Sequence, residues 1–126
     1  MFRRIGNTDM AMGYHQAIVD KASRIFTAFI LMCGIYQFRR LPFGPKRAPS
    51  HFQEQMASVV LAGLLYFICE VYLDDITIYG ETDKTVVARM ARHNILLKPL
   101  KTYLGFEVVE WVGTIFSSGG LKIPKK

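Results

Sequence analysis

Short runs of apolar and β-branched residues alternate along the chain with two longer segments whose apolar positions recur at helical spacing. The short runs predict strands at residues 5–9, 27–32, 35–38, 68–73, 76–79, 95–97, 104–109 and 111–116, with a turn at 117–120. The longer segments predict two helices. The first begins after Ser50 as N-cap, with Gln53 completing a capping box, and runs to about residue 65; the second covers residues 82–92.

The order of these elements predicts the fold class. A strand, a helix, a β-hairpin, a second helix and two further strands are the main elements along the 126 residues. This order is typical of an α+β fold, in which the helices pack on one face of an antiparallel sheet. The length, without internal repeats or low-complexity segments, predicts a single domain over residues 1–126.

Composition and charge narrow the choice of partners. A hydrophobic content of 51% excludes a disordered tail. The net charge of +6 favours a polyanionic partner, such as nucleic acid or an anionic membrane surface. The uncharged stretch at residues 56–69 is too short to span a bilayer, and no apolar run of a signal peptide follows the N-terminus. We therefore expect no membrane partner.

The two cysteines, Cys33 and Cys69, lie within apolar runs. Neither has a Cys or His neighbour at the spacing of zinc ligands. We therefore expect two reduced, buried thiols, which are typical of an intracellular protein of the cytoplasm or nucleus.

Two adjacent aspartates, Asp74 and Asp75, interrupt the most β-prone part of the chain. Because Asp is disfavoured in strands and common in turns, we expect them at the bend of a hairpin. From spacing alone, an ordinary solvated turn is the more common explanation of such a pair. The apolar flanks would bury this hairpin, however, and like charges beside a core are costly unless a cation neutralises them. The pair therefore suits a Mg²⁺ site, and a strand-end aspartate such as Asp9 is a candidate to complete it.

Five motifs follow one another along the chain: DMAMGYHQ at residues 9–16, LPFGPKRAPSHFQ at 41–53, YLDD at 72–75, LKPLK at 97–101 and EWVG at 110–113. Together they resemble the reverse transcriptases of Gypsy-type long-terminal-repeat retrotransposons and their retroviral relatives. The resemblance covers nearly the whole chain and implies a polymerase palm domain with a ferredoxin-like core.

The resemblance also implies the catalytic residues. Asp9, Asp74 and Asp75 correspond to the family's metal-binding aspartates, which use two Mg²⁺ ions and also accept Mn²⁺. Lys101, which aligns better than Lys98, corresponds to a lysine that protonates the departing pyrophosphate. From the residues alone, an ordinary surface lysine is an equal alternative.

Nucleotide and primer contacts are implied in the same way. Tyr14 corresponds to the steric gate that excludes a 2′-hydroxyl, although a core aromatic is the alternative from the residues alone. Phe43 and Gly44 correspond to residues near the incoming nucleotide. The primer grip, a hairpin that holds the primer 3′ end, corresponds to Trp111, Val112 and Gly113, with Trp111 expected in the core.

The resemblance implies an RNA-directed DNA polymerase core that acts on an RNA or DNA template-primer with deoxynucleoside triphosphates, within a longer Pol polyprotein that carries other domains. Compared with the family, we expect the N-terminal fingers segment and the thumb and ribonuclease H regions to be absent. The helix at residues 80–93 is about two turns shorter than the family's. We therefore expect little activity from the chain alone. The alternative is a catalytically inactive nucleic-acid-binding remnant or pseudogene product.

Overall fold

The computed structural model describes residues 4–80, 82–117 and 119–123. In chain order the strands are β1 (Ile5–Asp9), β2 (Phe29–Leu31), β3 (Gly34–Tyr36), β4 (Cys69–Tyr72), β5 (Asp75–Tyr79), β6 (Tyr103–Phe106), β7 (Val108–Trp111), β8 (Thr114–Ser117) and β9 (Gly120–Lys122). The α-helices are α1 (Gly13–Gln16), α2 (Ala48–Gln55) and α3 (Asp83–Arg92).

The central sheet has four strands in the order β4-β5-β1-β6. All three neighbouring pairs are antiparallel. With α2 between β1 and β4, and α3 between β5 and β6, the chain follows the β-α-β-β-α-β order of a ferredoxin-like core. The α+β class expected from the sequence is confirmed.

The hydrophobic core lies between this sheet and the two longer helices. Successive side chains of a strand point to opposite faces, so Ile76 and Ile78 share one face of β5, and both are fully buried. They belong to one buried cluster with Phe52 of α2 and with Val86 and Met90 of α3. Both helices therefore cover the same face, which leaves the opposite face to Asp75 and its neighbours.

A second sheet lies beside β1, on the side away from the helices. It consists of β7, β8 and β9, and Asn7 Nδ2 in β1 donates a hydrogen bond of 3.3 Å to the Glu110 carbonyl of β7. The strand predicted at 104–109 is therefore wrong as one element, because β6 pairs with β1 whereas β7 pairs with β8. The strand predicted at 111–116 is interrupted by a turn, because Val112 and Gly113 adopt φ values of 47° and 70°.

Three other strand predictions have different outcomes. The stretch at 95–97 contributes a single bridge between Met10 and Leu97 rather than a strand. The hairpin at 27–38 is confirmed as β2 and β3, although residues 21–27 form a 3₁₀ helix. The turn at 117–120 is confirmed by the pairing of Ser117 with Gly120; its residue 118 lies outside the described residues.

The first helix begins earlier and ends earlier than predicted. It starts at Ala48, with Pro49 in its first turn, where a missing N–H costs nothing. Ser50 therefore lies inside the helix, and its hydroxyl donates to the Arg47 carbonyl instead of capping the helix. A π-helical turn at Met56–Val60 ends the helical stretch. The second helix, predicted at 82–92, is confirmed as α3.

The β2–β3 hairpin belongs neither to the central sheet nor to the helices that cover it, and every residue of its two strands is exposed. The prediction of two buried thiols is therefore wrong for Cys33, which is exposed in the turn of this hairpin, and correct for Cys69 in β4. Within the described part of the chain, no helix has the length and apolar character needed to cross a bilayer.

The packing makes a testable distinction between two methionines. Met90 is fully buried under the sheet, whereas Met32 is fully exposed. We expect Met90→Ala to lower the free energy of unfolding by about 3 kcal/mol, because a buried methionine leaves a cavity. Met32→Ala is the matched control and should leave it nearly unchanged. Urea denaturation measures both, and equal losses would contradict the packing described.

Candidate active site

The antiparallel pairing of β1 with β5 brings two of the three candidate aspartates together. Asp9 and Asp75 are direct partners at the end of this ladder. Asp74 lies in the turn before β5, and its carbonyl accepts a 2.8 Å hydrogen bond from the Met10 N–H. The bend is one residue earlier than predicted, since Tyr72 pairs with Asp75 and only Leu73 and Asp74 are outside the ladder.

A glutamine from α2 fixes this turn. Gln53 Nε2 donates to the Val71 carbonyl at 2.8 Å, and Gln53 Oε1 accepts from the Leu73 N–H at 2.8 Å. Leu73 has a φ of 52°, a conformation that is uncommon for a residue other than glycine. The Gln53 amide thus satisfies the Val71 carbonyl and the Leu73 N–H, and so helps to position Asp74, the next residue. This role of Gln53 was not predicted: its spacing from Ser50 indicated a capping box, which the structure does not form.

A glycine leaves room for the carboxylate of Asp74. A Cβ atom at Gly13 would overlap Asp74 Oδ1 and lie 3.1 Å from the Phe52 ring. Asp74 Oδ1 is buried and has no hydrogen-bond partner among the described residues. An unpartnered carboxylate oxygen in a buried position is costly, so this oxygen is available to a cation.

The carboxyl groups are electrostatically strained. Burial raises the pKa of Asp74 above its ordinary value, and the charges of Asp9 and Asp75 raise it further, against an opposing effect of Lys98. Burial and the charge of Asp9 raise the pKa of Asp75 in the same way, against Lys101 and Lys98. Both groups therefore favour a protonated form or a nearby cation.

Two lysines form ion pairs with Asp9. Lys98 Nζ is 3.0 Å from one carboxylate oxygen of Asp9 and 3.1 Å from the other. Lys101 Nζ is 3.3 Å from Asp9 Oδ2. The structure thus brings the predicted Lys101 to the site but places Lys98, the less favoured candidate, closer to Asp9.

The protein offers donor groups that suit the expected metal, but they do not form a metal-binding cluster. In the part of the chain that the structure describes, no three His, Cys, Asp or Glu side chains are grouped so that they could hold an ion. Asp9, which would be one of three, is paired with lysines instead. The donor chemistry still fits Mg²⁺ or Mn²⁺, because the candidates are carboxylates and one of them offers a buried, unpartnered oxygen.

The predicted nucleotide-binding residues lie next to this group. Tyr14 is buried, with its ring edge-on to Phe43 at 5.1 Å and to Phe52 at 5.2 Å. Burial and the nearby charge of Asp74 raise the pKa of Tyr14. Phe43 is largely exposed, and Gly44 follows it with a φ of 113°, which favours glycine. Tyr14 is thus part of the core and at the same time adjoins the carboxylates.

The predicted primer-grip residues form the turn between β7 and β8. Val112 and Gly113 are the two turn residues, and Val112 is exposed. Trp111 is half-buried against Phe116, at a ring distance of 5.5 Å, and its Nε1 is buried without a partner in the described residues. They lie on the second sheet, which the Asn7 hydrogen bond connects to β1.

The raised pKa of Asp74 predicts how stability changes with pH. A carboxyl group whose pKa rises on folding stabilises the fold below its ordinary value of 3.8, and this contribution is lost as the pH rises through the folded value. We expect Asp74→Asn to be more stable than the unchanged chain at about pH 7, and the gain to vanish towards about pH 3. Urea midpoints with a chelator present measure this. Glu107→Gln, at an exposed carboxylate, should show no such gain, and an Asp74→Asn chain less stable at neutral pH would refute the assignment.

The space beside Asp74 gives a second prediction. Gly13→Ala should lower the free energy of unfolding by about 1–3 kcal/mol, because the new methyl group displaces a carboxylate in a packed environment. Gly119→Ala is the control, since its nearest contact, Ser117 Oγ, is 3.7 Å away. Similar small effects of both substitutions in urea denaturation would show that Asp74 is not confined as described.

Comparisons with known proteins agree with this geometry. A family model described as "Reverse transcriptase (RNA-dependent DNA polymerase)" matches residues 5–113. The retrovirus-related Pol polyprotein from transposon opus of Drosophila melanogaster is 34% identical over 94% of this chain. The corresponding polyprotein from transposon gypsy is 36% identical over 90% of this chain. The chain spans only 12% of the length of each.

Solved structures show the same fold. The foamy viral protease-reverse transcriptase in complex with dsDNA has a TM-score of 0.79 at 19% identity, over 97% of this chain and 26% of that one. The same enzyme in complex with an RNA/DNA hybrid has a TM-score of 0.75 at 19% identity, over 97% of this chain and 17% of that one. By its sequence match over most of its length, and with a fold in agreement, the chain belongs to the reverse transcriptase family.

Proposed function

We propose that the chain is the palm-domain core of an RNA-directed DNA polymerase and functions within a longer Pol polyprotein. The observation that carries the proposal is the convergence of Asp9, Asp74 and Asp75 at one end of the central sheet, in a chain of the reverse transcriptase family. The reaction is transfer of a nucleotide from a deoxynucleoside triphosphate to a primer 3′-hydroxyl.

In this proposal Asp9, Asp74 and Asp75 hold two Mg²⁺ ions, which Mn²⁺ can replace. When bound there, the ions would supply the positive charge that favours ionisation of the attacking hydroxyl and stabilises the pyrophosphate as it leaves. The raised pKa values of Asp74 and Asp75 support it, because carboxylates that resist ionisation gain most from a cation. The unpartnered Asp74 oxygen supports it for the same reason.

The aromatic residues beside the carboxylates would position the nucleotide. Tyr14 makes edge-on ring contacts with Phe43 and Phe52, and its ring would exclude a 2′-hydroxyl from the adjacent space. Phe43 is exposed and offers an apolar surface, and Gly44 lets the backbone approach closely. Lys101, whose side chain is 65% exposed, could deliver a proton to the pyrophosphate.

The template-primer would lie across the face of the sheet opposite the helices. The turn of Trp111, Val112 and Gly113 would contact the primer 3′ end. An RNA or DNA template-primer is the partner that the net charge of +6 favours. The related foamy viral enzyme is described with dsDNA and with an RNA/DNA hybrid, which supports the same class of partner here. Other domains of the polyprotein would supply further contacts to the duplex.

A catalytically inactive nucleic-acid-binding protein is the second candidate. The observation that favours it is the pair of lysines on Asp9, which places two cations where metal is needed. This candidate predicts salt-sensitive binding of RNA or DNA that survives the loss of Asp74 and Asp75.

Primer extension separates the two candidates. With a DNA primer on an RNA template, deoxynucleotides and Mg²⁺, we expect weak extension by the chain alone and a further loss of at least about 100-fold on Asp74→Asn, since the change removes charge at the reacting centre. Because the same substitution is expected to stabilise the fold, unfolding cannot explain the loss. Asp83→Asn, on α3, is the control.

Extension that is absent, or equal with and without Asp74, would contradict polymerase activity of this chain. In that case salt-dependent binding of the same duplex by both proteins supports the second candidate. Absence of such binding contradicts both candidates.

A further inference from the structure

Lys98 contacts Asp9 through both its backbone and its side chain. Its backbone N–H donates to the Asp9 carbonyl at 2.8 Å, and its ammonium group contacts both carboxylate oxygens of Asp9. The Lys98 ammonium group therefore covers the carboxylate of the same residue whose carbonyl accepts from the Lys98 backbone. Contacts through both backbone and side chain restrict Lys98 more than the single contact of a flexible surface ion pair would.

The segment after Lys98 brings a second cation to the same place. Residues Pro99–Lys101 form a 3₁₀ turn, in which the Lys101 N–H and the Thr102 hydroxyl both donate to the Lys98 carbonyl. Lys101 is directed to Asp9 Oδ2 at 3.3 Å. The Asp9 side chain is only 16% exposed beneath the two ammonium groups. Both of its oxygens are thus occupied by positive charge.

A metal ion and an ammonium group compete for these oxygens in two ways. Both use the same carboxylate lone pairs, and as like charges they repel each other at short distance. Lys98 Nζ lies 3.0 and 3.1 Å from the two Asp9 oxygens, where an entering cation would coordinate this carboxylate. A cation that enters the group must therefore displace the ammonium of Lys98 or tolerate it.

We propose that Lys98 is an internal counter-cation, which neutralises Asp9 in the metal-free protein and must leave it before a divalent ion can bind. The inference rests on the proposed metal site. Lys98 is thus a positioning residue that lowers metal affinity and stabilises the empty site. Entry of metal would release its ammonium group towards the bound polyanion.

This role has a signature that a purely structural lysine lacks. Without Lys98, the largely buried Asp9 keeps only the longer contact with Lys101, so the metal-free fold loses stability. Without Lys98, the carboxylates also carry one more uncompensated negative charge, so a divalent cation binds more tightly. Stability and metal affinity therefore change in opposite directions, whereas a structural residue would lower both.

The test uses the full 126-residue chain with Mn²⁺ alone. Free Mn²⁺ is counted from its electron paramagnetic resonance signal, and stability is measured as the urea midpoint with a chelator. We expect Lys98→Gln to lower the Kd for Mn²⁺ by about tenfold, because a like charge beside the ion is removed, and to lower the urea midpoint. Lys84→Gln, the same charge change on the exposed surface of α3, should alter neither.

A coupled variant shows whether the effect acts through Asp9. In an Asp9→Asn background, adding Lys98→Gln should no longer tighten Mn²⁺ binding. Unchanged or weaker Mn²⁺ binding by Lys98→Gln would overturn the inference. If the unchanged chain and Lys98→Gln bind Mn²⁺ equally and both lose it on Asp75→Asn, the proposed metal site stands and the role of Lys98 fails. If neither chain binds Mn²⁺, both fail.

Discussion

The candidate active site depends on one constraint, the crowding of three carboxylates at the end of the β1–β5 ladder. The pairing register fixes Asp9 opposite Asp75, and the turn before β5 places Asp74 within the charge field of both. Three like charges at the edge of a core are unfavourable by themselves. The neighbouring residues reduce this repulsion, either by positioning the carboxylates or by compensating their charge.

Two groups of residues stabilise the three carboxylates, one through geometry and the other through charge. Geometry holds the carboxylates in place, through the Gln53 amide on the turn and the absence of a side chain at Gly13. Charge is supplied by Lys98 and Lys101, which lie on Asp9 but leave Asp74 Oδ1 unpartnered within the described residues. The compensation is therefore partial, and the remaining negative charge is what a divalent cation would neutralise. Stability and function are in tension at such a site.

The sequence predicted those features that local patterns determine. The β4–β5 hairpin follows from its β-prone residues and the turn preference of its aspartates, and α3 follows from apolar periodicity; both formed nearly as expected. The split at Val112 was not predictable, because a β-branched residue at positive φ interrupts a run that otherwise resembles one strand. The early start of α2 was missed because Ser50 matched a capping pattern while Pro49 sets the first turn. Asp9 was one candidate from its position at a strand end, and the family resemblance singled it out, since no local pattern specifies which strand β5 will pair with. Lys98 was undervalued for the same reason, because its proximity to Asp9 depends on contacts between residues distant in sequence.

We propose that these three aspartates form a divalent cation site in a reverse transcriptase core. The most direct measurement is the anomalous diffraction of Mn²⁺ in crystals of the chain. We expect a peak in contact with the carboxylates of Asp9, Asp74 and Asp75, with the Lys98 ammonium no longer in contact with Asp9. A peak elsewhere, or none, with Lys98 still paired to Asp9 at high Mn²⁺ concentration, would contradict it.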